Sequence, residues 1–227
     1  MRLTIAASAD QAAEAAARFL GERIAEAVAT RGRCTIALSG GHTPWTALER
    51  LVLLNPPWAA LEVFQVDERV VGDQDPRRNA SRLRSILVGA TRLASAHFHA
   101  MPVDPPLESA ASRYQAELTV SAGAPPVLDV VQLGLGADGH TASLVPGDPL
   151  CAVTDQEVGV SGPYDGTVRL SLTFPAINRA RAVLWLVTGA EKRPPLARLL
   201  AQDPAIPAAR VNGARATLIA DRAAAPG

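Results

Sequence analysis

The sequence predicts an α/β fold with a mainly parallel β-sheet and helices on both faces, and three observations lead to that prediction. Short runs rich in Val, Ile and Leu alternate with amphipathic or Ala-rich segments along most of the 227 residues. These runs lack the polar alternation of a half-exposed sheet, which is typical of strands that are buried on both faces. Gly, Pro and polar residues separate the two kinds of segment, as expected for repeated strand–helix units of the Rossmann-like type.

Strands and helices can be assigned in order along the chain. The strands are the apolar runs at 3–7, 34–39, 61–66, 96–101, 127–136, 166–174, 182–189 and 216–221. The helices are the periodic segments from Ser8 to about Thr30 and at 45–54, 79–89, 107–118, 175–180 and 194–200. Polar or Gly- and Pro-rich stretches at 73–78 and 121–126 interrupt this pattern.

Local signals indicate where several helices begin. Asp10 lies near the N-cap of the first helix, and Pro44 falls near the first turn of the second, where the helix does not need its N–H. Asn79 or Ser81 is the expected N-cap of the third helix, since both side chains carry an oxygen acceptor. No internal repeat or interdomain linker is visible. A single α/β domain over residues 1–227 is therefore expected, with room for a small subdomain after residue 150.

Composition and charge exclude several classes of protein. Hydrophobic residues make up 48% of the chain and charged residues 19%, as in a soluble globular protein. The 22 basic and 22 acidic side chains give a net charge of +0. A neutral chain of this kind has no general attraction for nucleic acid or for an anionic membrane, so neither is expected as a partner.

The N-terminus and the cysteines predict a cytoplasmic protein. The N-terminal segment lacks a continuous apolar stretch of the signal-peptide type. No apolar run approaches the roughly 18 residues needed to span a bilayer. Cys34 and Cys151 are far apart and lie outside any C-x-x-C motif, so both are expected to be reduced and buried.

Polar residues follow several of the predicted strands at the point where each strand ends. SGGHTP (39–44), DERVV (67–71), GLGADGH (134–140) and AEK (190–192) each come after an apolar run, and Arg169 lies within its own strand. Ligands of open α/β sheets bind beyond the carboxyl ends of the strands. We therefore expect these groups to converge on one site.

The SGGHTP segment has the features of an anion-binding loop. Gly40 and Gly41 allow close approach of the backbone, and Ser39 and Thr43 add hydroxyl groups. The helix that follows adds the partial positive charge of its N-terminus. This combination suits a phosphate monoester, with a plain structural turn as the alternative. The spacing differs from the Walker A motif, and GLGADG lacks the glycine spacing of a dinucleotide-binding fingerprint.

A candidate general base lies in the glycine-rich loop GLGADGHTASLVPG at 134–147, where His140 follows Asp138 by two residues. Imidazole titrates near pH 6.5, so a histidine can take a proton at neutral pH, and a carboxylate can orient the ring. The structural alternative is a histidine at a helix cap. Function is favoured because glycines surround the pair.

Two further groups of polar residues have structural alternatives. Asp67 and Arg69 supply a carboxylate and a cation at one strand end, where a solvated ion pair is the alternative. His97 and His99 form an H-x-H pattern. Zinc needs more ligands than this pair provides, so a structural role is expected for both histidines.

Together these segments resemble the 6-phosphogluconolactonases. The resemblance runs from about residue 34 to 211 and is carried by SGGHTP, DER, GLGADGHTASLVPG, RLSLTFPAIN, VTGAEK and PAARV. It implies a fold related to ribose-5-phosphate isomerase and glucosamine-6-phosphate deaminase. It also implies hydrolysis of 6-phospho-D-glucono-1,5-lactone to 6-phosphogluconate in the pentose phosphate pathway, with no required cofactor. No metal is expected, because no ligand cluster in the sequence has zinc spacing.

The resemblance also implies roles for individual residues. The substrate phosphate would be bound by Ser39, Gly40, Gly41, Thr43, Arg169 and Lys192. His140 would activate water, and either Asp138 or Asp67 would hold the imidazole tautomer or the water. Arg69 or loop N–H groups would stabilise the oxyanion. No nucleophilic serine is expected, since neither Ser39 nor Ser143 lies in a G-x-S-x-G motif. The expected partner is a small phosphorylated sugar lactone, bound by a monomer.

Two alternatives stay open at this point. Glucosamine-6-phosphate deaminase shares the phosphate loop and the Asp-Gly-His segment. Its pattern has Glu before the Pro-Gly, where this chain has Val145, and Tyr after Asp-Glu, where this chain has Arg69. Both differences favour the lactonase. The other alternative is a non-catalytic sugar-phosphate-binding domain, but a fused DNA-binding helix-turn-helix is not expected ahead of LTIAA.

Overall fold

Ten β-strands form two sheets in the computed structural model, which describes residues 1–226 apart from the side chain of Ala96. In chain order they are β1 (Arg2–Ala6), β2 (Cys34–Leu38), β3 (Leu61–Gln65), β4 (Asp67–Arg69), β5 (Phe98–His99), β6 (Val130–Leu133), β7 (Val158–Tyr164), β8 (Thr167–Leu172), β9 (Ala182–Val187) and β10 (Ala216–Asp221). The main sheet has seven strands in the order β1-β10-β9-β6-β2-β3-β5, and every pairing in it is parallel. The predicted fold class is confirmed.

Six α-helices cover both faces of the main sheet. They are α1 (Ala9–Arg31), α2 (His42–Leu54), α3 (Asn79–Leu87), α4 (Leu107–Ala122), α5 (Phe174–Arg179) and α6 (Arg193–Leu200). One core packs α1, α2 and α3 against side chains such as Ile36 and Leu38 of β2. A second core packs α4, α5 and α6 against Ala37 of the same strand. Alternate residues of β2 thus enter opposite cores, which is why the strand is apolar throughout.

The second sheet is small and antiparallel, with the strand order β4-β8-β7. It was only partly predicted: β8 matches the strand expected at 166–174, but it lies outside the main sheet, and β4 and β7 were not assigned. The chain passes from one sheet to the other at Val66, whose carbonyl accepts the N–H of Leu172 at 2.8 Å. The small sheet therefore draws one strand from before residue 150 and two from after it.

One predicted helix start is confirmed and one predicted cap is wrong. Ser8 caps α1 by accepting the N–H of Gln11, and Asp10 lies in the first turn, near the N-cap as expected. The N-cap residue of α3 is Arg78, and neither Asn79 nor Ser81 caps this helix. A carboxylate from elsewhere in the chain supplies the acceptor there.

Strand order brings two of the predicted loops side by side. Along the chain, β3 and β5 extend the sheet to one side of β2, whereas β6, β9, β10 and β1 lie on the other. The direction of strand addition therefore reverses next to β2, and the loops after β2 and β6 flank a crevice there. None of the helices that the structure describes combines the length and apolar character needed to cross a bilayer.

Candidate active site

A cleft of about 430 Å³ opens at the carboxyl ends of β2, β6 and β9 and is bordered by β4 and β8. All the predicted site residues except Asp138 line it: Ser39, Gly40, Gly41, Thr43, Asp67, Arg69, His140, Arg169 and Lys192. A larger cleft of about 980 Å³ is lined by residues that include Val70, Arg78 and Asp104. The smaller cleft is the candidate site, because the residues predicted to bind and hydrolyse the substrate line it.

The glycines of the 134–140 loop are explained by how closely the loop folds on itself. Gly136 donates its N–H to the carbonyl of His140 at 2.8 Å, and a Cβ at Gly136 would lie 2.0 Å from His140 Nδ1. Gly139 has φ +87°, and a Cβ there would lie 2.4 Å from the side chain of Ile206. A side chain at Gly136 would displace the imidazole, and one at Gly139 would collide with Ile206.

Asp138 is the carboxylate that holds His140. Its Oδ1 lies 2.6 Å from His140 Nδ1 and also accepts the backbone N–H of His140 at 3.1 Å. Partial burial works to raise the pKa of Asp138, but the hydrogen bonds and charge of His140 outweigh it and hold that pKa below its ordinary value. An ionised Asp138 places the proton on Nδ1, so Nε2 carries the free lone pair.

Asp67 has a different partner. The side chain is buried, and its Oδ2 accepts the hydroxyl of Ser143 at 2.7 Å. The N–H of Ser143 in turn donates to the hydroxyl of Ser171 at 3.1 Å. The two carboxylates that the sequence left as alternatives thus have separate places: Asp138 orients the imidazole, and Asp67 lines the cleft beside it.

Two arginines face the cleft from neighbouring strands. Arg69 of β4 and Arg169 of β8 are direct register partners in the antiparallel pair. Burial lowers the pKa of Arg169, with Arg69 adding to the effect and Asp67 opposing it. Like charges opposite each other in a sheet destabilise it. The pair is therefore an arrangement that an anion in the cleft would stabilise.

The loop after β2 holds backbone donors towards the same cleft. No side chain in the described chain caps α2, so the first N–H groups of that helix are left for water or a ligand. Gly40 makes room for Asn79, since a Cβ there would lie 2.0 Å from Asn79 Oδ1. The hydroxyl of Thr43 pairs with that of Thr188 at 2.6 Å.

Ser39 is placed differently from the expectation. Its hydroxyl donates to the carbonyl of Gln132 at 2.9 Å, and its N–H donates to Gln132 Oε1 at 3.1 Å. Both donors of Ser39 are therefore used to join β2 to β6. The two bonds hold the start of the loop against β6 and leave Ser39 with no hydrogen to donate to a phosphate.

Lys192 reaches the cleft from the start of α6, for which it is the N-cap residue. The turn before it begins at Gly189, which has φ +100° and donates its N–H to the carboxylate of Asp221 at 3.1 Å. A fixed turn thus presents the ammonium group to the same cavity as Arg169. Three cations and one histidine–carboxylate pair share a single cleft.

The other predicted groups lie outside this cleft. His99 bonds Glu62 at 2.8 Å and Glu117 at 3.0 Å, and His97 Nδ1 lies 3.3 Å from the carbonyl of Leu61. Within residues 1–226, no cluster of three or more His, Cys, Asp or Glu side chains could hold a metal ion. Cys34 and Cys151 are both free and buried, which confirms that prediction.

The chain is similar to known proteins over most of its length. Residues 7–220 match the family described as Glucosamine-6-phosphate isomerases/6-phosphogluconolactonase. The 6-phosphogluconolactonase of Synechocystis sp. is 43% identical over 188 residues, which cover 80% of this chain and 77% of that protein.

The chain belongs to the glucosamine-6-phosphate isomerase/6-phosphogluconolactonase family.

Solved structures share the fold across nearly the whole chain. The crystal structure of 6-phosphogluconolactonase from Thermotoga maritima matches with a TM-score of 0.87 at 25% identity, covering 97% of this chain and 98% of that one. A monomeric glucosamine-6-phosphate deaminase matches with a TM-score of 0.86 at 19% identity, covering 99% and 98%. The second likeness shows the fold alone. The predicted resemblance to the family and the fold relation to the deaminases are confirmed.

Two residues near the site, Glu68 and Tyr164, were not predicted from the sequence, and Asn79 was expected only as a helix cap. Glu68 is fully buried and caps α3, accepting the N–H groups of Asn79 at 2.9 Å and Ala80 at 2.8 Å. Asn79 also donates its side-chain amide to the carbonyl of Asp67 at 3.2 Å. Tyr164 packs its ring edge-to-face with His140, with centroids 5.0 Å apart. Only Tyr164 had a sequence signal, the Asp165–Gly166 turn that follows it.

Proposed function

We propose that this protein is a 6-phosphogluconolactonase, which hydrolyses 6-phospho-D-glucono-1,5-lactone to 6-phosphogluconate in the pentose phosphate pathway. The observation that carries the proposal is one cleft that combines the His140–Asp138 pair with Arg69, Arg169 and Lys192. Membership of the family supports it. We also propose that the enzyme acts as a cytoplasmic monomer and needs no cofactor.

The phosphate end of the substrate is bound first in this mechanism. A phosphate monoester carries about −1.5 to −2 charges at pH 7, so it needs cations and N–H donors. Arg169 and Lys192 supply the cations, and the Gly40–Gly41 backbone, Thr43 and the N-terminus of α2 supply donors. Ser39 is left out of this set, because Gln132 already accepts both of its donors.

His140 then acts as the general base. Nε2 takes a proton from a water molecule, whose oxygen forms a bond to the lactone carbonyl carbon. Asp138 stabilises the imidazolium that results, since it accepts the Nδ1 proton at 2.6 Å. General base catalysis of this kind contributes roughly 10²–10⁴-fold.

The tetrahedral intermediate next loses the ring oxygen. Negative charge on the former carbonyl oxygen is stabilised by Arg69 or by loop N–H groups. The bond from the carbonyl carbon to the ring oxygen breaks, and the imidazolium returns its proton to that oxygen. A covalent serine intermediate does not fit this site, because the Ser39 hydroxyl donates to the Gln132 carbonyl and Ser143 is fully buried and does not line the cleft.

The second candidate is glucosamine-6-phosphate deaminase, which the shared fold favours. Val145 occupies the position of the deaminase Glu and cannot transfer a proton. A non-catalytic sugar-phosphate-binding domain is the third candidate. A base held ready by a carboxylate is unnecessary for binding alone, so the His140–Asp138 pair favours an enzyme.

One assay separates these candidates. The lactone is generated freshly by glucose-6-phosphate dehydrogenase, and its disappearance is followed with and without the protein. Accelerated lactone loss is expected, with no ammonia released from glucosamine 6-phosphate. Ammonia release would select the deaminase, and binding of 6-phosphogluconate without turnover of either substrate would select the binding domain.

A further inference from the structure

Tyr164 contacts both the proposed base and a proposed phosphate ligand, although it was assigned to neither group. Its ring packs edge-to-face with the imidazole of His140, with centroids 5.0 Å apart and planes at 66°. The guanidinium carbon of Arg169 lies over the same ring, 5.0 Å from its centroid. Arg169 Nη2 also donates to the carbonyl of Tyr164 at 3.4 Å. One side chain thus contacts the proposed base and a proposed phosphate ligand.

The phenol of Tyr164 is also coupled electrostatically to Asp138. It adds to the effect of His140 in holding the pKa of Asp138 below its ordinary value. In return, burial and the Asp138 charge raise the pKa of Tyr164, so the phenol keeps its proton.

A tight turn holds Tyr164 in this position. Asp165 and Gly166 have φ values of +51° and +73°, as in a two-residue hairpin turn with both central residues left-handed. Tyr164 is paired with Thr167 across that turn. The turn belongs to the same hairpin as Arg169, so tyrosine and arginine are set by one local structure.

We propose that Tyr164 is a positioning residue that fixes the His140–Asp138 pair and the Arg169 guanidinium relative to each other, an inference that rests on the proposed function. Without the ring, the imidazole loses its edge contact and the guanidinium loses the aromatic face beneath it. The distance between the reacting carbonyl and the phosphate of one substrate is fixed by its covalent bonds. A site that holds the base and the phosphate ligand at a constant separation therefore binds the substrate more tightly and turns it over faster.

Two variants separate the ring from the hydroxyl. Tyr164→Leu removes both contacts of the ring, and we expect KM to rise and kcat to fall, each by roughly 3- to 10-fold, as for loss of a cation–π or aromatic contact. Tyr164→Phe keeps the ring, so KM should return to within about 2-fold of the wild type. Pro163→Ala, an exposed neighbour in β7, is the matched control.

A readout without turnover keeps the test independent of the proposed function. In NMR spectra, the His140 ring resonances should move in Tyr164→Leu because the aromatic ring current is lost, while those of His97 and His99 stay in place. In Tyr164→Phe, the pKa of Asp138, followed by its carboxyl ¹³C shift, should rise because the phenol that helps to lower it is removed.

The outcomes are distinct. If the wild type fails to hydrolyse the lactone, the proposed function is wrong, and the NMR shifts alone decide whether Tyr164 positions the pair. If Tyr164→Leu keeps wild-type KM and kcat, or loses activity only in proportion to unfolded protein, the positioning role is overturned. If Tyr164→Leu does not fold, the absence of nuclear Overhauser contacts between the Tyr164 and His140 rings in the wild type overturns it.

Discussion

At the scale of single residues, the sequence predicted the chemistry but not the pairings. His140 was identifiable because glycines surround it, and the close contacts of Gly136 and Gly139 account for them. Which carboxylate serves the imidazole depends on how the loop bends. That bend is set by a hydrogen bond from Gly136 to His140 and by the fit of Gly139 against Ile206. Neither contact can be read from spacing.

His140→Asn tests the base. The substitution keeps a polar side chain but removes Nε2, so kcat should fall by roughly 10²–10⁴-fold while the Kd of 6-phosphogluconate changes little. Asp138 stays ionised at neutral pH as the partner of the imidazole, since its pKa is held below its ordinary value. Near wild-type turnover by His140→Asn would move the base to Asp67.

The buried thiol of Cys34 gives a pH prediction. Burial, reinforced by the Asp129 carboxylate, raises the pKa of Cys34 from 9.0 to about 12. The folded protein should therefore show no rapid reaction with a thiol reagent at pH 8, and both cysteines should react in urea. The raised pKa favours the neutral thiol in the folded state. The contribution of the neutral Cys34 thiol to the free energy of unfolding should therefore be lost as pH rises from about 9 to about 12. Chemical denaturation across that pH range measures the loss, and rapid native labelling would contradict the buried thiol.

At the scale of elements, strands and helices were predictable where burial and periodicity act locally. The cap of α3 was not, because its acceptor comes from β4. Glu68 accepts hydrogen bonds from Gln65, Arg69, Asn79 and Ala80, so one carboxylate joins the end of β3 to the start of α3. The β7–β8 hairpin did have a local signal in its Asp-Gly turn.

Glu68→Ala should destabilise the protein more than a surface change would. It leaves the N–H groups of Asn79 and Ala80 without their acceptor and removes the buried one of the two carboxylates near Arg78, so we expect a loss of about 3–5 kcal/mol in the free energy of unfolding. Urea denaturation measures it. Glu49→Gln, which breaks an exposed pair with Arg82, should cost less than about 1 kcal/mol. Equal losses for the two variants would rule out the capping role.

The strand β8 and the start of α6 supply the proposed phosphate cations. Arg169→Ala and Lys192→Ala should each raise KM for the phosphorylated lactone by roughly 10- to 100-fold, since a charged hydrogen bond contributes about 1.5–3 kcal/mol. The effect on kcat should be smaller, because the contact is equal in ground and transition states. Unphosphorylated gluconolactone is the control. It should be a poor substrate that is insensitive to both changes, and equal losses on the two lactones would refute the phosphate assignment.

At the scale of the whole molecule, the location of the site could be predicted from the sequence, but the arrangement of its side chains could not. Loops that are distant in sequence were expected to meet because parallel strands end at one edge of a sheet. The small antiparallel sheet was missed because β4 is three residues long and follows β3 after Val66 alone. It contributes Arg69 and Arg169 to the cleft, so the cationic side of the site depends on the part of the fold that was hardest to predict.

Turnover should be independent of metal ions. His140 and the fixed cations supply the groups that the proposed reaction needs. Prolonged EDTA treatment followed by desalting should leave kcat/KM unchanged, with a zinc enzyme treated in parallel as the positive control. A loss that zinc restores would bring His97, His99 or His140 back as ligands.

The position of β10 has a consequence for how the protein is made. Within residues 1–226, β1 pairs with β10 alone, and β10 also pairs with β9. Because β1 is synthesised before β10, it has no neighbouring strand until β10 has been made. Until β10 emerges, β9 has a bare edge, and the exposed side chains of Leu3 and Ile5 have no sheet to support them. A nascent chain stalled before Ala216 is the form in which this protein is most open to chaperones and to aggregation.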